Sequence, residues 1–206
     1  MKPKIRRLSG LAAIALAGAF GALTPKGEAA QMRLTPELAR GPINTGYEIE
    51  EARFHGLGID VLLDSAYESV QNKPSYITKR FIKEVARTES RFNPYAKSYM
   101  DARGLMQLTE RAWEQVDTSD YMLNVYDPYI NLQDGIKYFV TWIDPYCAAR
   151  NPDWGNLSDS EKRKIALAAY NAGTRRTEEL GWDVSNMSPG VQDYVNNIES
   201  RVGDIE

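Results

Sequence analysis

The stretch YITKRFIKEVARTESRFNP, residues 76–94, fixes how the rest of the chain is read. Phe81, Ile82, Val85, Ala86 and Glu89 fall on one stripe of a helix over residues 76–91, and Asn93-Pro94 ends the pattern. Glu89 follows Val85 by four residues and Phe81 by eight, which turns it toward the core side with them. It also occupies the last turn, where the negative end of the helix dipole disfavours another negative charge. Partial burial and the dipole both push a carboxyl pKa upward, so a protonated fraction persists near neutral pH. A general acid for glycosidic cleavage needs that property. Position alone leaves a second reading open: a buried structural Glu satisfied by backbone or by nearby Arg87 or Arg91.

Outward from this helix the signals remain helical. Upstream, Ile49, Ala52, Leu57, Val61, Leu62, Ala66 and Val70 suggest a helical segment broken near Gly56 and Gly58. Downstream, residues 95–104 are polar and predict a loop or a short irregular hairpin, and residues 111–116 a brief helix. Asp127-Pro128 opens a helix with Leu132, Ile136, Phe139, Val140 and Ile143 inward, which Pro145 ends or kinks. Ser158-Asp159-Ser160-Glu161 is a capping box, and its helix runs through Ile165, Ala168 and Ala169 to Gly173. Ser188-Pro189 begins a last helix with Val191, Tyr194, Val195, Ile198 and Val202 on one face. The expected fold class is mainly α, a single domain with a small irregular or short β region near 95–104.

Composition narrows the chemistry. With 206 residues, 43% hydrophobic and 26% charged, the chain has the make-up of one globular domain. Lys2, Lys4, Arg6 and Arg7, the apolar run 8–23, and Gly27-Glu28-Ala29-Ala30 follow the order of a secretory signal peptide over residues 1–29. The expected product is exported, periplasmic or extracellular. It is expected to be soluble and without a lipid anchor, because the only Cys is Cys147. Removing that segment takes away five basic residues (Lys2, Lys4, Arg6, Arg7, Lys26) and Glu28. The 25 basic and 28 acidic residues become 20 and 27, a net charge of −7. Such a balance argues against nucleic acid as a partner. One Cys makes no internal disulfide, and a solitary His55 leaves little for a Ser-His or zinc-His site. Carboxylate chemistry is what remains, and neither metal nor cofactor is implied.

The surroundings of Glu89 then add a resemblance. Glu89-Ser90-x-Phe92-Asn93-Pro94-x-Ala96-x-Ser98 and Gly104-Leu105-Met106-Gln107-Leu108 resemble the first two signature blocks of the lytic transglycosylase (SLT) domain, a lysozyme-like family related to goose-type lysozymes. Tyr126-Asp127-Pro128 with Asn131, Gly135 and Tyr138 is similar to its central helix. Ala169-Tyr170-Asn171-Ala172-Gly173 resembles its third block and Val191-x-x-Tyr194-Val195-x-x-Ile198 its last. Four ordered blocks across roughly residues 75–202 are far more specific than one short pattern. The resemblance implies an α-rich lysozyme-like domain over 74–206, preceded by a leader and helix over 30–73, with a groove for peptidoglycan glycan strands. It implies that Glu89 is the acid/base. Glu89 would protonate the oxygen between N-acetylmuramic acid and N-acetylglucosamine, then deprotonate the muramyl 6-hydroxyl to close a 1,6-anhydro product. Ser98, Met106, Gln107, Tyr170 and Asn171 fall where the family lines its groove, and Tyr194 where a tyrosine hydroxyl approaches the catalytic carboxyl. Met106 and Tyr170 have core packing as a competing role, and the Tyr194 ring is core in either case.

Three departures stand out. Asp101 replaces a Gly, Thr109-Glu110-Arg111 stands where a Pro is usual, and Thr174-Arg175-Arg176 follows the third block in place of small residues or Pro. Asp101 opens an alternative, because goose-type lysozymes carry an acidic residue near this point that is thought to position water. Inverting hydrolases hold that water between carboxyls roughly 6.5–9.5 Å apart, whereas the anhydro reaction needs one carboxylate. Asp101 as a plain turn residue is the competing role. The readings are therefore a lytic transglycosylase, a goose-type-like muramidase, or a non-catalytic glycan-binding or assembly module. The chain is expected to be monomeric; residues 30–73 are read by default as padding the flank of the domain, with docking of an envelope machine as the alternative.

Overall fold

The structure, a computed structural model, describes residues 58–203. Residues 1–57, which include the signal-like stretch 1–29, Ile49, Ala52 and His55, lie outside the described residues. Within them the chain forms helices α1 (Gly58–Ser69), α2 (Lys79–Ser90), α3 (Glu110–Trp113), α4 (Tyr121–Asn124), α5 (Pro128–Lys137), α6 (Asp144–Arg150), α7 (Asp159–Ala172), α8 (Thr174–Glu179) and α9 (Pro189–Val202). A π-helical segment, Tyr138–Ile143, joins α5 to α6, and 3-10 turns Trp154–Asn156 and Val184–Asn186 precede α7 and α9. The domain is mainly α, as the periodicity predicts. Among the described residues there is no sheet, and Arg103 makes single antiparallel bridges to Lys97 and Leu108. The irregular region expected over 95–104 thus extends to residue 108. No described helix is long and apolar enough to cross a membrane.

Local chemistry sets the helix ends. Thr78 caps α2 by accepting from Phe81 N, so the helix begins at Lys79 and not at Tyr76. Tyr76 and Ile77 are buried just outside it. Asp127 accepts from Tyr129 N and Ile130 N with Pro128 in the first turn of α5. Ser158 and Glu161 make both halves of their capping box. Pro145 does not end its helix. The preceding π-helical turn shifts the hydrogen-bond register, so the missing N–H and the ring are taken up without a break.

The core is one cluster. Ile59, Leu63 and Ala66 of α1 pack along α5, and the buried stripe of α9 (Val191, Val195, Ile198, Val202) lies against α7 and α2. Arg163 of α7, almost fully buried, forks onto Glu199 of α9 at 2.8 and 3.2 Å and fixes how those helices cross. Aromatic rings run through the centre. Phe81 meets Phe139 edge-on at 5.1 Å, and Phe139 stacks on Tyr170 at 4.6 Å.

Gly135 marks the closest approach of α5 to the loop before α3. A Cβ there would stand 2.5 Å from Met106 Cγ. Gly135→Ala should therefore destabilise the fold by about 1–3 kcal/mol in urea titration through overpacking. An unchanged midpoint would show that Met106 relocates freely.

Candidate active site

Glu89 lies next to the last residue of α2, on the turn whose carbonyls point toward the helix end. The chain then reverses through two successive left-handed residues, Arg91 (φ 52°) and Phe92 (φ 62°), neither of them Gly. Such conformations cost L-residues energy and persist where surrounding packing enforces them. Here the Arg91 N–H bonds back to Arg87 O at 2.9 Å, and the Phe92 ring is buried under the Arg87 guanidinium.

The carboxyl itself is half-buried and makes one strong contact: Tyr194 Oη donates to Glu89 Oε1 at 2.6 Å. Tyr194 comes from α9, 105 residues later, on the helix that Glu199 and Arg163 hold in place. Among the described residues Glu89 has no ion pair, and Arg87 turns instead to Glu84 at 3.1 Å. The alternative of a structural Glu neutralised by arginine therefore does not hold. Burial pushes the Glu89 carboxyl up to about 7, against a smaller opposing pull from the Tyr194 hydrogen bond. Tyr170 is close enough to feel the same charge. Burial and that charge together drive the Tyr170 and Tyr194 hydroxyls well above the usual tyrosine range, so both stay protonated.

The other candidates divide into two groups. Tyr170 bonds through its hydroxyl to Met106 O, and Met106 is fully buried, so both have packing roles. Glu89, Tyr170, Tyr194 and the Met106 carbonyl thus form one connected cluster. Ser98, Asp101 and Gln107 belong to the hairpin of residues 96–108. Ser98 Oγ accepts from Ala102 N. Gln107, at φ 48°, donates its amide hydrogens to Ala96 O at 3.1 Å and Gly104 O at 3.0 Å. Asp101 sits at φ 64°, the left-handed turn position that Gly fills most easily. Its exposed carboxylate binds Lys97 at 2.8 Å and Arg103 at 2.9 Å, and these bonds hold it below the ordinary aspartate range. Asn171 is exposed at the end of α7.

Sequence reasoning placed Asn131 in the central helix but gave it no role in the site. Fully buried, it accepts from Met106 N at 2.7 Å and donates to Val125 O and Arg103 O at 2.9 and 3.2 Å. A Cβ on Gly104 would lie 2.3 Å from its Nδ2. Asn131 therefore fixes the backbone that carries Met106 and Gln107. Its signal in the sequence was a lone amide just before the inward-facing Leu132. Among the described residues no group of acidic, His or Cys side chains has the arrangement of a metal site.

The family model for the transglycosylase SLT domain matches residues 67–186. The chain belongs to that family. Among its relatives are membrane-bound lytic murein transglycosylase F of Vibrio cholerae, 37% identical over 137 residues, and its namesake from Shewanella halifaxensis, 32% identical over 121. Membrane-bound lytic murein transglycosylase C of Pectobacterium atrosepticum is 31% identical over 134 residues. These matches take in 60%, 59% and 55% of this chain but only 24%, 23% and 34% of the relatives, so the chain spans no more than about a third of their length. The match contains the Glu89, Met106 and Tyr170 segments, while Tyr194 lies beyond its end.

The raised Glu89 pKa has a stability consequence with a definite sign. A carboxyl that titrates higher folded than unfolded costs nothing below its unfolded value of about 4.5 and its full penalty above about 7. Glu89→Gln removes that penalty while keeping an acceptor for Tyr194. It should stabilise the SLT domain by about 2–3 kcal/mol at pH 8 and by little at pH 4.5, read from thermal unfolding. Equal effects at both pH values would mean that Glu89 titrates normally.

Proposed function

We propose that the protein is a peptidoglycan lytic transglycosylase. It cleaves the β-1,4 bond between N-acetylmuramic acid and N-acetylglucosamine and leaves 1,6-anhydro ends. One observation carries this reading: the half-buried Glu89 carboxyl, unpaired with any cation among the described residues and held by the Tyr194 hydroxyl, whose burial keeps it partly protonated at neutral pH. Protonated Glu89 donates to the glycosidic oxygen as the C1–O bond breaks, and the leaving sugar departs neutral. The carboxylate so formed takes the proton of the muramyl 6-hydroxyl, whose oxygen bonds C1. Glu89 ends protonated, and no water is consumed. The Tyr194 bond favours the carboxylate, so it assists the second half of the cycle at the expense of the first.

Ser98, Gln107 and Asn171 are proposed as the polar groups that meet the sugars, with Met106, Tyr170 and Tyr194 shaping the floor beneath them. The muramidase alternative would use Asp101 to position water. The two cations on its carboxylate and its turn conformation favour a structural role for it and support the anhydro reaction. The names of the relatives support murein as the substrate. The signal-like residues 1–29 support export to the periplasm or beyond, and residues 30–73 are the proposed contact for an envelope partner of an otherwise monomeric enzyme.

Mass spectrometry of muropeptides released from purified sacculi tests the proposal. Anhydro ends, one water lighter than reducing ends, should dominate. Glu89→Gln should lower the rate by about 10²–10⁴-fold, and Asp101→Asn should leave the product ratio unchanged. Dominant reducing ends would replace this reading with the muramidase. As pH rises through about 7 the rate should fall, because the acid form of Glu89 is lost.

A further inference from the structure

Asp134 is a buried acid that the proposed reaction leaves unused. It lies on α5 with none of its surface exposed. Its Oδ1 accepts from Lys137 Nζ at 2.7 Å, while its buried Oδ2 has no hydrogen-bond partner. A fully buried carboxylate oxygen without a donor forfeits its hydration and calls for an explanation. The group that faces it is a second carboxyl: Asp117, from the turn after α3, within hydrogen-bonding reach of Asp134. Two carboxylates at that range repel, whereas one carboxylic acid and one carboxylate bond strongly. Lys137 faces both groups. Asp60 and Asp64 of α1, the helix packed along α5, pair instead with Lys83 and Lys79.

We propose that Asp117 and Asp134 share one proton, as an Asp134 O–H to Asp117 carboxylate bond that latches the turn of residues 117–120 onto α5 in mildly acidic solution and releases it in alkaline solution. The proton comes from solvent, and no other bond changes. With one proton the pair and Lys137 are together neutral. Without it they leave a net negative charge around a fully buried oxygen.

The two titrations bracket the latch. Burial pushes Asp134 up to about 6. Burial works the same way on Asp117, but the Ser119 backbone N–H and the bond to Asp134 hold it below the ordinary aspartate range. An acid with a raised folded pKa contributes stability at low pH that is lost as pH rises through that value. One with a depressed pKa contributes stability that is lost as pH falls. The shared-proton form is therefore strongest between the two. The latched turn lies behind the hairpin: Ser119 O accepts from Trp113 Nε1, and Asp120 caps α4, whose Tyr121 hydroxyl donates to Asp101 O and Leu108 O.

Thermal unfolding of the full chain at pH 5 and pH 8, with carboxyl-carbon NMR titration, tests the latch. The amide introduced by Asp134→Asn donates to Asp117 at either pH. The variant should therefore exceed the wild type in Tm by about 3–6 °C at pH 8 and by no more than about 1–2 °C at pH 5. Glu89 titrates in both proteins alike, so the difference isolates the pair. In the wild type the Asp134 carboxyl should titrate near pH 6, and Asp117→Asn should move that midpoint down, since an amide donor favours the carboxylate. An Asp134 midpoint at the ordinary aspartate value, or a Tm difference equal at both pH values, would overturn the proposal. Should Asp134→Asn fail to fold, the wild-type titration and the Asp117→Asn shift decide it alone.

Discussion

The hydrogen bond from Tyr194 to Glu89 is the contact on which the functional arrangement depends. It joins two helices 105 residues apart in sequence and closes the half-buried carboxyl against the core. Neither partner is placed by its own helix alone. Glu89 is aimed by the buried stripe of α2 and by the left-handed reversal behind it. Tyr194 is aimed by the apolar face of α9 and the Arg163–Glu199 fork. The electrostatic result is a balance: desolvation opposes the charge, the tyrosine hydroxyl favours it, and desolvation prevails. A carboxyl poised in this way can give and then take the same proton without an ion pair to trap it in one state.

A second framework holds the backbone of residues 96–108. Arg103 makes both β-bridges of the hairpin, forks onto Asp101, and lies 5.7 Å from the rings of Tyr121 and Tyr126. Asn131 secures the next turn from below through three hydrogen bonds. Tyr170 bonds the Met106 carbonyl in the same turn and stacks on Phe139, and so ties the hairpin to the helical core. Polar groups thus give this irregular segment the rigidity that apolar stripes give the helices, through the bonds of Asn131, Tyr170 and the Arg103 terminal nitrogen.

Much of this was legible because its causes are local. The caps at Asp127 and Ser158 act within three residues, and the helical stripes repeat every three or four, so sequence spacing reports them directly. Glu89 was legible as a raised-pKa acid for the same reason: its position in the last turn follows from where Phe81 and Val85 sit. The partner of that acid came from the ordered family blocks, since no local rule links Tyr194 to a residue 105 positions earlier. The short helices α4 and α8 and the π-helical turn were not foreseen. Each is shorter than the window over which periodicity can be read, and tertiary contacts decide them. Asn131 lies in the central-helix block, yet its role depends on backbone groups of residues 103, 106 and 125 converging on one amide. The Asp117–Asp134 pair joins two segments whose proximity no spacing encodes.

Burial holds Glu89 partly protonated at neutral pH. Carboxyl-carbon NMR titration of the wild-type protein tests it most directly, with the resonance assigned by its loss in Glu89→Gln. The midpoint should lie near 7. A midpoint at the ordinary glutamate value of about 4.5 would contradict it and leave the carboxyl ionised where a proton donor is required.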